Sequence, residues 1–573
     1  MKPFPCSGPF PHGAGLTLQI SARRHSSAMQ RGRGWVREIL LHNTKSQSFM
    51  MKDSALFIGF AATLLAVFIV DKLLQARKNA NRHPLPPGPK GLPLVGNIRD
   101  LPQPTEFAAR FWLKHKDLYG PISSVQVLGK TLIIINDAQV ASEMLDKRSS
   151  EFSSRPTIVL AGEMVGWNDG TGQLRYDDTL RLHRKVFSRI LGTRSTAAQY
   201  NTLQEAEVGH FLLHVLDNPK KLTEHIAREA GSVILNIVYG YNAEQFKKDP
   251  LTGMMNDAME HFAYAATPGN FLVDIIPILR YVPEWFPGAG WKKIANKWAA
   301  ELKETVDTGY KFVEDQLASG KKNDSYLSRA MSSSEDTPEN VHNNKWTAAS
   351  LFGGGADTSV ASIATFFLAM AKYPEVQKKA QEEIDRVIGS DRLPNLDDRD
   401  KLPYIEAIVL EILRWHPIGP MGLPHSCDQD VVFRNHLIPK DSYLMPNVWW
   451  FTHDPEVYQD PMEFRPERFQ GPKPEKDPRK IVFGYGRRIC AGQILAENSL
   501  FLNFAQSLAV FNIESPVIDG DVVEPEAEFN PGVISHPAPF DVSIKPRTQH
   551  HENLIRSIEE RFPWQESDAQ DLR

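Results

Sequence analysis

The sequence predicts a mainly α (α+β) protein, one large helix-rich domain with small β-sheets, preceded by one N-terminal transmembrane helix. Three observations carry the prediction. Apolar residues recur at helical spacing over long segments, strand-like runs are few and short, and one uncharged stretch near the N-terminus approaches the length of a bilayer crossing. The 573 residues are 42% hydrophobic and 10% aromatic, enough to bury a large core. A mean hydropathy of -0.34 excludes a multi-spanning membrane protein. With 65 Lys plus Arg against 69 Asp plus Glu, the formal net charge of -4 offers no electrostatic reason for nucleic-acid binding. The three cysteines, Cys6, Cys427 and Cys490, are far apart and form no C-x-x-C pair, so a disulfide framework and a cysteine-rich zinc site are both excluded. Any cysteine chemistry rests on a single thiol.

Residues 1–50 form a basic low-complexity tail: Lys2, Arg23, Arg24, Arg31, Arg33, Arg37 and Lys45 oppose one acid, Glu38. Such a composition suits a transit peptide, but the segment lacks periodicity and reads better as a disordered tail, or as an extension ahead of a start at Met50 or Met51. Ala55 to Val70 carries no charge. At about 1.5 Å per residue it reaches about 24 Å, and with Leu73, Leu74 and a snorkelling Lys72 the segment 55–74 spans a bilayer of about 30 Å. Lys72, Arg77, Lys78, Arg82 and Lys90 follow it, which keeps the remainder of the chain cytosolic. The proline-rich segment 84–104 cannot continue a helix and is expected to be a semi-rigid hinge. Residues 105–545 contain no comparable linker, no fixed-period repeat, and only one polar stretch, Ser332 to Asn344, that reads as a surface loop; 546–573 reads as a polar C-terminal tail.

Within 105–545, helices are predicted over Thr196 to Leu216, Leu222 to Tyr239, Trp291 to Leu317, Trp346 to Tyr373, Pro374 to Ile388 and Tyr404 to Trp415. Strands are predicted over Ile122 to Val127, Thr131 to Ile135 and Ser442 to Met445.

Most motifs that carry chemistry are missing. There is no H-E-x-x-H, no phosphate-binding G-x-x-x-x-G-K-[ST] and no G-x-S-x-G elbow, and the glycine-rich 484–489 has Ile489 where a dinucleotide fingerprint needs glycine. What stands out is Phe483-Gly-Tyr-Gly486-Arg-Arg488-Ile-Cys490-Ala-Gly492 ahead of the apolar run Gln493 to Val510. Glycines permit a tight turn close to a flat ligand, and the helix that follows aims its positive end at the sulfur, which favours a thiolate. Taken alone, Cys490 reads more readily as a buried structural cysteine at a helix start. Glu411-Ile-Leu-Arg414 places opposite charges at i,i+3 in an apolar helix, ordinarily a solvated pair; Arg468 in Phe464-Arg-Pro466-Glu467-Arg468-Phe469 offers a second arginine that would close a buried cluster. Gly353-Gly354-Gly355-Ala356-Asp357-Thr358-Ser359 weakens a helix by about 1 kcal/mol per glycine, which suits a ligand-facing kink better than a loop between two helices.

Together these residues resemble the cytochrome P450 family of haem-thiolate monooxygenases, and their order along residues 55–545 is the family's order. The Pro-rich segment 272–292 is similar to that of fungal microsomal members, of the O-methylsterigmatocystin oxidoreductase type, that oxidise polycyclic or aromatic metabolites. The resemblance implies the cytochrome P450 fold, haem b (iron protoporphyrin IX) as cofactor, and Cys490 as its axial iron ligand, a thiolate that favours O–O cleavage. By the same resemblance Phe483 shields the sulfur, Gly486 and Gly492 allow the turn, and Arg184, His425 and Arg488 bind the haem propionates. Leu180 stands where the family usually has tryptophan, leaving one propionate hydrogen bond to be supplied otherwise, with His183 as the candidate. Asp357 and Thr358 would relay protons during oxygen activation, and Glu411, Arg414 and Arg468 would be structural. Phe352, Ile418, Met421, Leu423, Val533 and Ile534 are the implied substrate-lining positions.

The chain has no flavin or nicotinamide fingerprint of its own. Electrons are therefore expected from NADPH through a separate membrane-bound NADPH-cytochrome P450 reductase, with cytochrome b5 as a second donor, docking near Arg479, Lys480 and Arg487. The expected location is the endoplasmic reticulum membrane, single-pass. The expected reaction is insertion of one atom of dioxygen into a lipophilic substrate, a fungal secondary metabolite or a xenobiotic aromatic. The alternatives are a haem-thiolate isomerase or dehydratase that does not use dioxygen, and a non-catalytic membrane-tethered haem sensor.

Overall fold

The computed structural model describes residues 83–572, apart from 94, 104 and 268, together with Thr63, Ala66, Ile69 and Val70, which are helical. The basic segment 1–50 and the rest of the apolar segment 55–74 lie outside the described residues. Residues 82–573 form one compact unit.

The unit is helix-rich with small sheets. Helix α1 (Ala108–Tyr119) leads into strands β1 (Ile122–Val127) and β2 (Lys130–Ile135), which pair antiparallel, Ile122 opposite Ile135. After α2 (Asp178–Leu191) come the long helices α3 (Asn201–Asp217), α4 (Leu222–Tyr239), α5 (Pro250–Ala266), α6 (Gly290–Ala318), α7 (Pro338–Lys372), α8 (Pro374–Val387) and α9 (Pro403–Trp415). Strand β3 (Tyr443–Pro446) then returns to lie parallel to β2, Leu132 opposite Tyr443, so this sheet joins two chain segments some three hundred residues apart. Helix α10 (Gln493–Val510) follows the Cys490 loop.

Helix α7 organises the molecule because it belongs to two apolar cores. Its first half, including Ala348, Phe352 and Ala356, packs with Tyr239 of α4, Met255 of α5 and Val313 of α6. Its second half packs Phe366 and Phe367 with Phe211 of α3, Ile408 of α9 and Phe501 and Phe504 of α10. Phe366 and Phe504 are both fully buried and stack with centroids 4.1 Å apart. Each such ring contributes about 2–3 kcal/mol by leaving water. The segment between the halves, Gly353 to Ser362, is where the cofactor-sized space lies.

Several expectations from the sequence change. α7 begins at Pro338, eight residues before Trp346, because Thr337 caps it by accepting from the Asn340 N–H at 3.3 Å and Pro338 occupies its first turn. The supposed loop Ser332 to Asn344 is therefore mostly helical: it holds the end of Tyr326–Ser333, a short link and the first turns of α7. The helix predicted over Thr196 to Leu216 is divided, with Arg194–Ala197 and a 3-10 turn Ala198–Tyr200 preceding α3. α7 runs as one helical segment through its three glycines, which excludes the alternative of a loop between two helices.

The hinge 84–104 is tied to the sheet: the Ser124 N–H donates to Pro87 O at 2.9 Å, its hydroxyl to Pro86 O at 2.6 Å, and the Leu437 N–H to Pro84 O at 2.8 Å. At Gly88 a Cβ would stand 1.9 Å from Ser124 O, so only glycine permits this approach. The tail 546–573 folds as well. Its helices Gln549–Arg556 and Ile558–Arg561 bury Ile555 and Ile558, and Trp564 stacks on His210 with centroids 4.1 Å apart.

Candidate functional site

The Cys490 loop is shaped by its glycines. Gly484 and Gly486 have φ of +81° and +52°, the left-handed region that glycine adopts without strain. At Gly486 a Cβ would come within 2.3 Å of Leu145 O, while its N–H donates to Asp146 Oδ1 at 2.6 Å. The Cys490 N–H closes the turn on Phe483 O at 2.8 Å. This places Cys490 just ahead of α10, with Gly492 as its N-cap and open space where a Gly492 Cβ would be.

Cys490 opens on a cavity of about 490 Å3, whose wall also includes Phe483 and Gly492. The cavity lies deep in the protein, so desolvation pushes the thiol pKa up, opposed by the Gly492 N–H and by Arg184. Cys427 differs: it is 0% exposed, donates to Pro439 O at 3.2 Å, and is pushed up to about 12 by burial with nearby aspartates adding. One cysteine is sealed as a thiol and the other faces a chamber.

Three arginines line the same cavity, Arg155, Arg184 and Arg488, and its described lining contains no Asp or Glu. Arg488 donates to the carbonyls of Ser153 at 2.6 Å, Thr171 at 3.1 Å and Leu174. Arg155 donates to Gly172 O at 2.9 Å, Leu423 O at 2.8 Å and Pro424 O at 2.7 Å. Burial pushes Arg488 down to about 8, with repulsion from Arg155 and Arg184 adding, and pushes Arg155 down to about 10. Positive charge crowded into a desolvated wall without a protein carboxylate calls for an anionic ligand. Arg184 sits on α2, which Asp177 caps by accepting from the Leu180 N–H at 3.0 Å. His425 lines the same wall, 4% exposed, its Nδ1 2.9 Å from Phe152 O; burial holds it neutral.

Arg155 was missed in the sequence, where Phe152-Ser-Ser-Arg155-Pro156 matches none of the motifs sought. The one available signal was a lone charge beside an apolar stretch. His183, the candidate for the missing hydrogen bond, does not itself line the cavity. Its ring nitrogens lie 2.8 Å from Thr171 Oγ1 and 3.4 Å from Asn343 Oδ1; Thr171 lines the cavity, as does Leu180, while His183 stands behind them.

On α7 the cavity is met by Leu351, Thr358, Ser359 and Ser362, at i, i+7, i+8 and i+11, with Gly354 and Gly355 among them. The Thr358 hydroxyl donates back to Gly354 O at 3.0 Å and that of Ser359 to Gly355 O at 3.0 Å. Two expected positions fall off that face. Phe352 turns into the core against Tyr239, centroids 6.1 Å apart, and Asp357 pairs with His536, Oδ1 to Nε2 3.1 Å, outside the cavity lining. Ile418, Leu423, Val533 and Ile534 do line the cavity. Met421 does not; it is buried with Trp112, Tyr443 and Trp449.

Glu411, Arg414 and Arg468 stand away from the chamber as a buried cluster. Arg414 grips Glu411 through Nε at 2.7 Å and Nη2 at 2.8 Å, and Arg468 Nε reaches it at 3.0 Å. Glu411 and Arg414 are 0% exposed, so the surface-pair reading fails. At the expected docking surface, Arg479 is already neutralised by Asp477, Glu406 and Glu497 at 2.7–3.1 Å, and Arg487 donates to the Tyr176 hydroxyl. Of the three basic groups expected there, Arg479 is thus removed as a free cation.

A family model described as Cytochrome P450 matches residues 86–544, most of the chain. The chain belongs to the cytochrome P450 family. It is 45% identical over 514 residues to Cytochrome P450 monooxygenase claR of Ampulloclitocybe clavipes, covering 89% of this chain and 95% of that protein. It is 46% identical over 518 residues to Cytochrome P450 monooxygenase 208 of Postia placenta, covering 90% and 99%. It is 40% identical over 517 residues to O-methylsterigmatocystin oxidoreductase of Aspergillus flavus, covering 89% and 97%. The protein is accordingly a cytochrome P450 monooxygenase, a class that implies haem and a redox partner. The cavity residues fit that cofactor: one thiol at a helix start, an arginine wall without acids, and glycines where a flat ligand approaches.

Proposed function

We propose that this cytochrome P450 inserts one oxygen atom of O2 into a lipophilic substrate, a fungal secondary metabolite or a xenobiotic aromatic, and reduces the other atom to water. The electrons come from NADPH through a separate reductase. Cys490, opening on an arginine-walled chamber free of carboxylates, is the observation that carries the reading. Cys490 would be the axial ligand of haem b, and Arg155, Arg184, Arg488 and His425 would hold its propionates. When bound, the haem supplies redox chemistry that activates dioxygen.

The remaining work falls to side chains of this chain. The arginines orient the cofactor by donating to carboxylates, and Arg155 and Arg488, engaged with backbone carbonyls at the same time, lose little further freedom on binding. Phe187, Val233, Ile234, Phe262 and Leu351 exclude water and favour an apolar substrate. Thr358 presents a hydroxyl to the chamber and holds it by donating to Gly354 O, and Asp357, one residue away, is the carboxylate that supplies protons towards it. The apolar segment 55–74 would anchor the domain in the endoplasmic reticulum membrane, where lipophilic substrates partition, with cytochrome b5 as a second donor.

The test is a carbon monoxide difference spectrum of the reduced protein, followed by NADPH-dependent oxidation in the presence of a reductase. A thiolate-shifted Soret band that disappears in Cys490→Ala is expected; a band that survives that substitution overturns the assignment.

A further inference from the structure

Asp357 lies off the cavity face of α7, and its carboxylate is held by a group the sequence did not single out. His536 Nε2 stands 3.1 Å from Asp357 Oδ1, and both side chains are 32% exposed. Both groups thus reach solvent, and His536 covers the Asp357 oxygen that it faces.

The segment that presents His536 is fixed. Its carbonyl accepts from the Asn530 N–H at 2.8 Å, the Ser535 N–H donates to Ile418 O at 2.8 Å, and the Ser535 hydroxyl donates to Asn530 O at 2.8 Å. His416 Nε2 lies 3.0 Å from Ser535 O, and its ring stacks on Phe529 at 3.7 Å. Three and two residues before His536, Val533 and Ile534 line the cavity. One turn thus carries both substrate-facing side chains and the partner of the acid.

We propose that His536 is a positioning residue for the monooxygenase reaction, which relays solvent protons to Asp357 and couples their delivery to the turn that lines the substrate chamber. The inference rests on the function proposed above. Each turnover takes a substrate C–H bond, dioxygen, two electrons and two protons to a C–OH bond and water. In the relay, the Nε2–H bond of the imidazolium breaks and an O–H bond forms at Asp357 Oδ1. The protonated carboxyl turns to deliver beside Thr358, and water reprotonates the ring at the vacated nitrogen. Imidazole suits the task because its ordinary pKa lies near neutrality. The ionisable groups recorded against His536 are Asp357 on α7 and His416 after α9. Burial pushes His416 down to about 4, so it stays neutral in the working range and leaves the relay to His536.

The test uses the holoenzyme with reductase and NADPH, both with 7-ethoxycoumarin as an aromatic probe and without organic substrate, where NADPH oxidation itself consumes protons. His536→Gln keeps a hydrogen-bond donor for Asp357 but carries no proton. NADPH-dependent turnover is expected to fall about three- to tenfold, with a larger solvent isotope effect and loss of the alkaline limb of the pH profile. A second measurement needs no turnover: carbethoxylation of His536 by diethyl pyrocarbonate, followed by mass spectrometry from about pH 5.5 to 8. The rate is expected to rise about threefold or more in Asp357→Ala, because the carboxylate 3.1 Å from Nε2 no longer engages that nitrogen. His536→Gln with the rate, isotope effect and pH profile of the wild type, or equal carbethoxylation with and without Asp357, overturns the relay. A wild type lacking the thiolate-shifted carbon monoxide band overturns the underlying function and the relay with it, whereas a wild type with the band and an indifferent His536→Gln overturns the relay alone.

Discussion

Replacing Glu411 by glutamine removes one negative charge from the most deeply buried ion cluster among the described residues. Glu411 and Arg414 are 0% exposed, and the carboxylate accepts from Arg414 at 2.7 and 2.8 Å, from Arg468 and from the Arg465 N–H at 2.7 Å. Arg468 keeps Glu475 at 2.8 Å in the variant, so the uncompensated charge is that of Arg414. Leaving one buried charge unpaired costs about 3–5 kcal/mol. At about 2.1 cal/mol/K per residue, unfolding of the unit 82–573 has an entropy of about 1 kcal/mol/K, so the melting temperature is expected to fall by about 3–5 °C. The control is Glu151→Gln. Arg148 and Glu151 share the i,i+3 spacing but are 35% and 33% exposed, so that pair is worth about 0.5 kcal/mol and the shift is under about 1 °C. Circular dichroism melting of the haem-loaded proteins measures both. Equal shifts in the two variants would refute the reasoning, since the two pairs share their spacing and differ in burial and in the partners that burial brings.

Gly486→Ala puts a Cβ within 2.3 Å of Leu145 O at a φ of +52°, so the loop must shift, and haem retention, read as carbon monoxide band per milligram, is expected to be largely lost. Arg155→Ala removes a donor from the arginine wall and is expected to raise the rate of haem transfer to apomyoglobin about tenfold, while Arg155→Lys, which keeps the charge, raises it less. Stability is expected to fall as pH drops from about 6.5 towards 4, because His416, 3% exposed, is held neutral in the fold by burial and titrates near 4 there but near 6.5 when unfolded. Its contribution, on the order of 3 kcal/mol, is complete above pH 6.5 and lost on acidification; urea titrations of His416→Gln should show a shallower decline.

The cofactor loop was legible in the sequence because its chemistry is local. The tight turn needs its glycines next to Cys490, so Phe483, Gly486, Arg488, Cys490 and Gly492 stand within ten residues. The long helices were legible as well, since a face that packs on a core must repeat every three to four residues. Arg155 and His536 left no such trace. Arg155 donates to the carbonyls of Leu423 and Pro424, 268 and 269 positions away, and His536 meets Asp357 across 179 positions.

Phe352, Met421, Asp357 and His183 show the limit of reading by position. Each lies one or two residues from side chains that do line the cavity; Phe352, Asp357 and His183 are on helices, which turn about 100° per residue, and Met421 sits in a turn after α9, so a neighbour in sequence points elsewhere. The same applies to charge. Glu411–Arg414 and Arg148–Glu151 have identical spacing, and only what packs around them makes one a buried keystone and the other a solvated pair.

By itself the sequence determined the class: the haem loop, the helix-rich body and one thiol in a setting that favours a thiolate, all written in short-range patterns. Only the tertiary structure decided which charges lose water, which arginines crowd one wall and which histidine faces the acid. Desolvation and proximity depend on segments brought together by folding, and these set the pKa values and partners on which the chemistry rests.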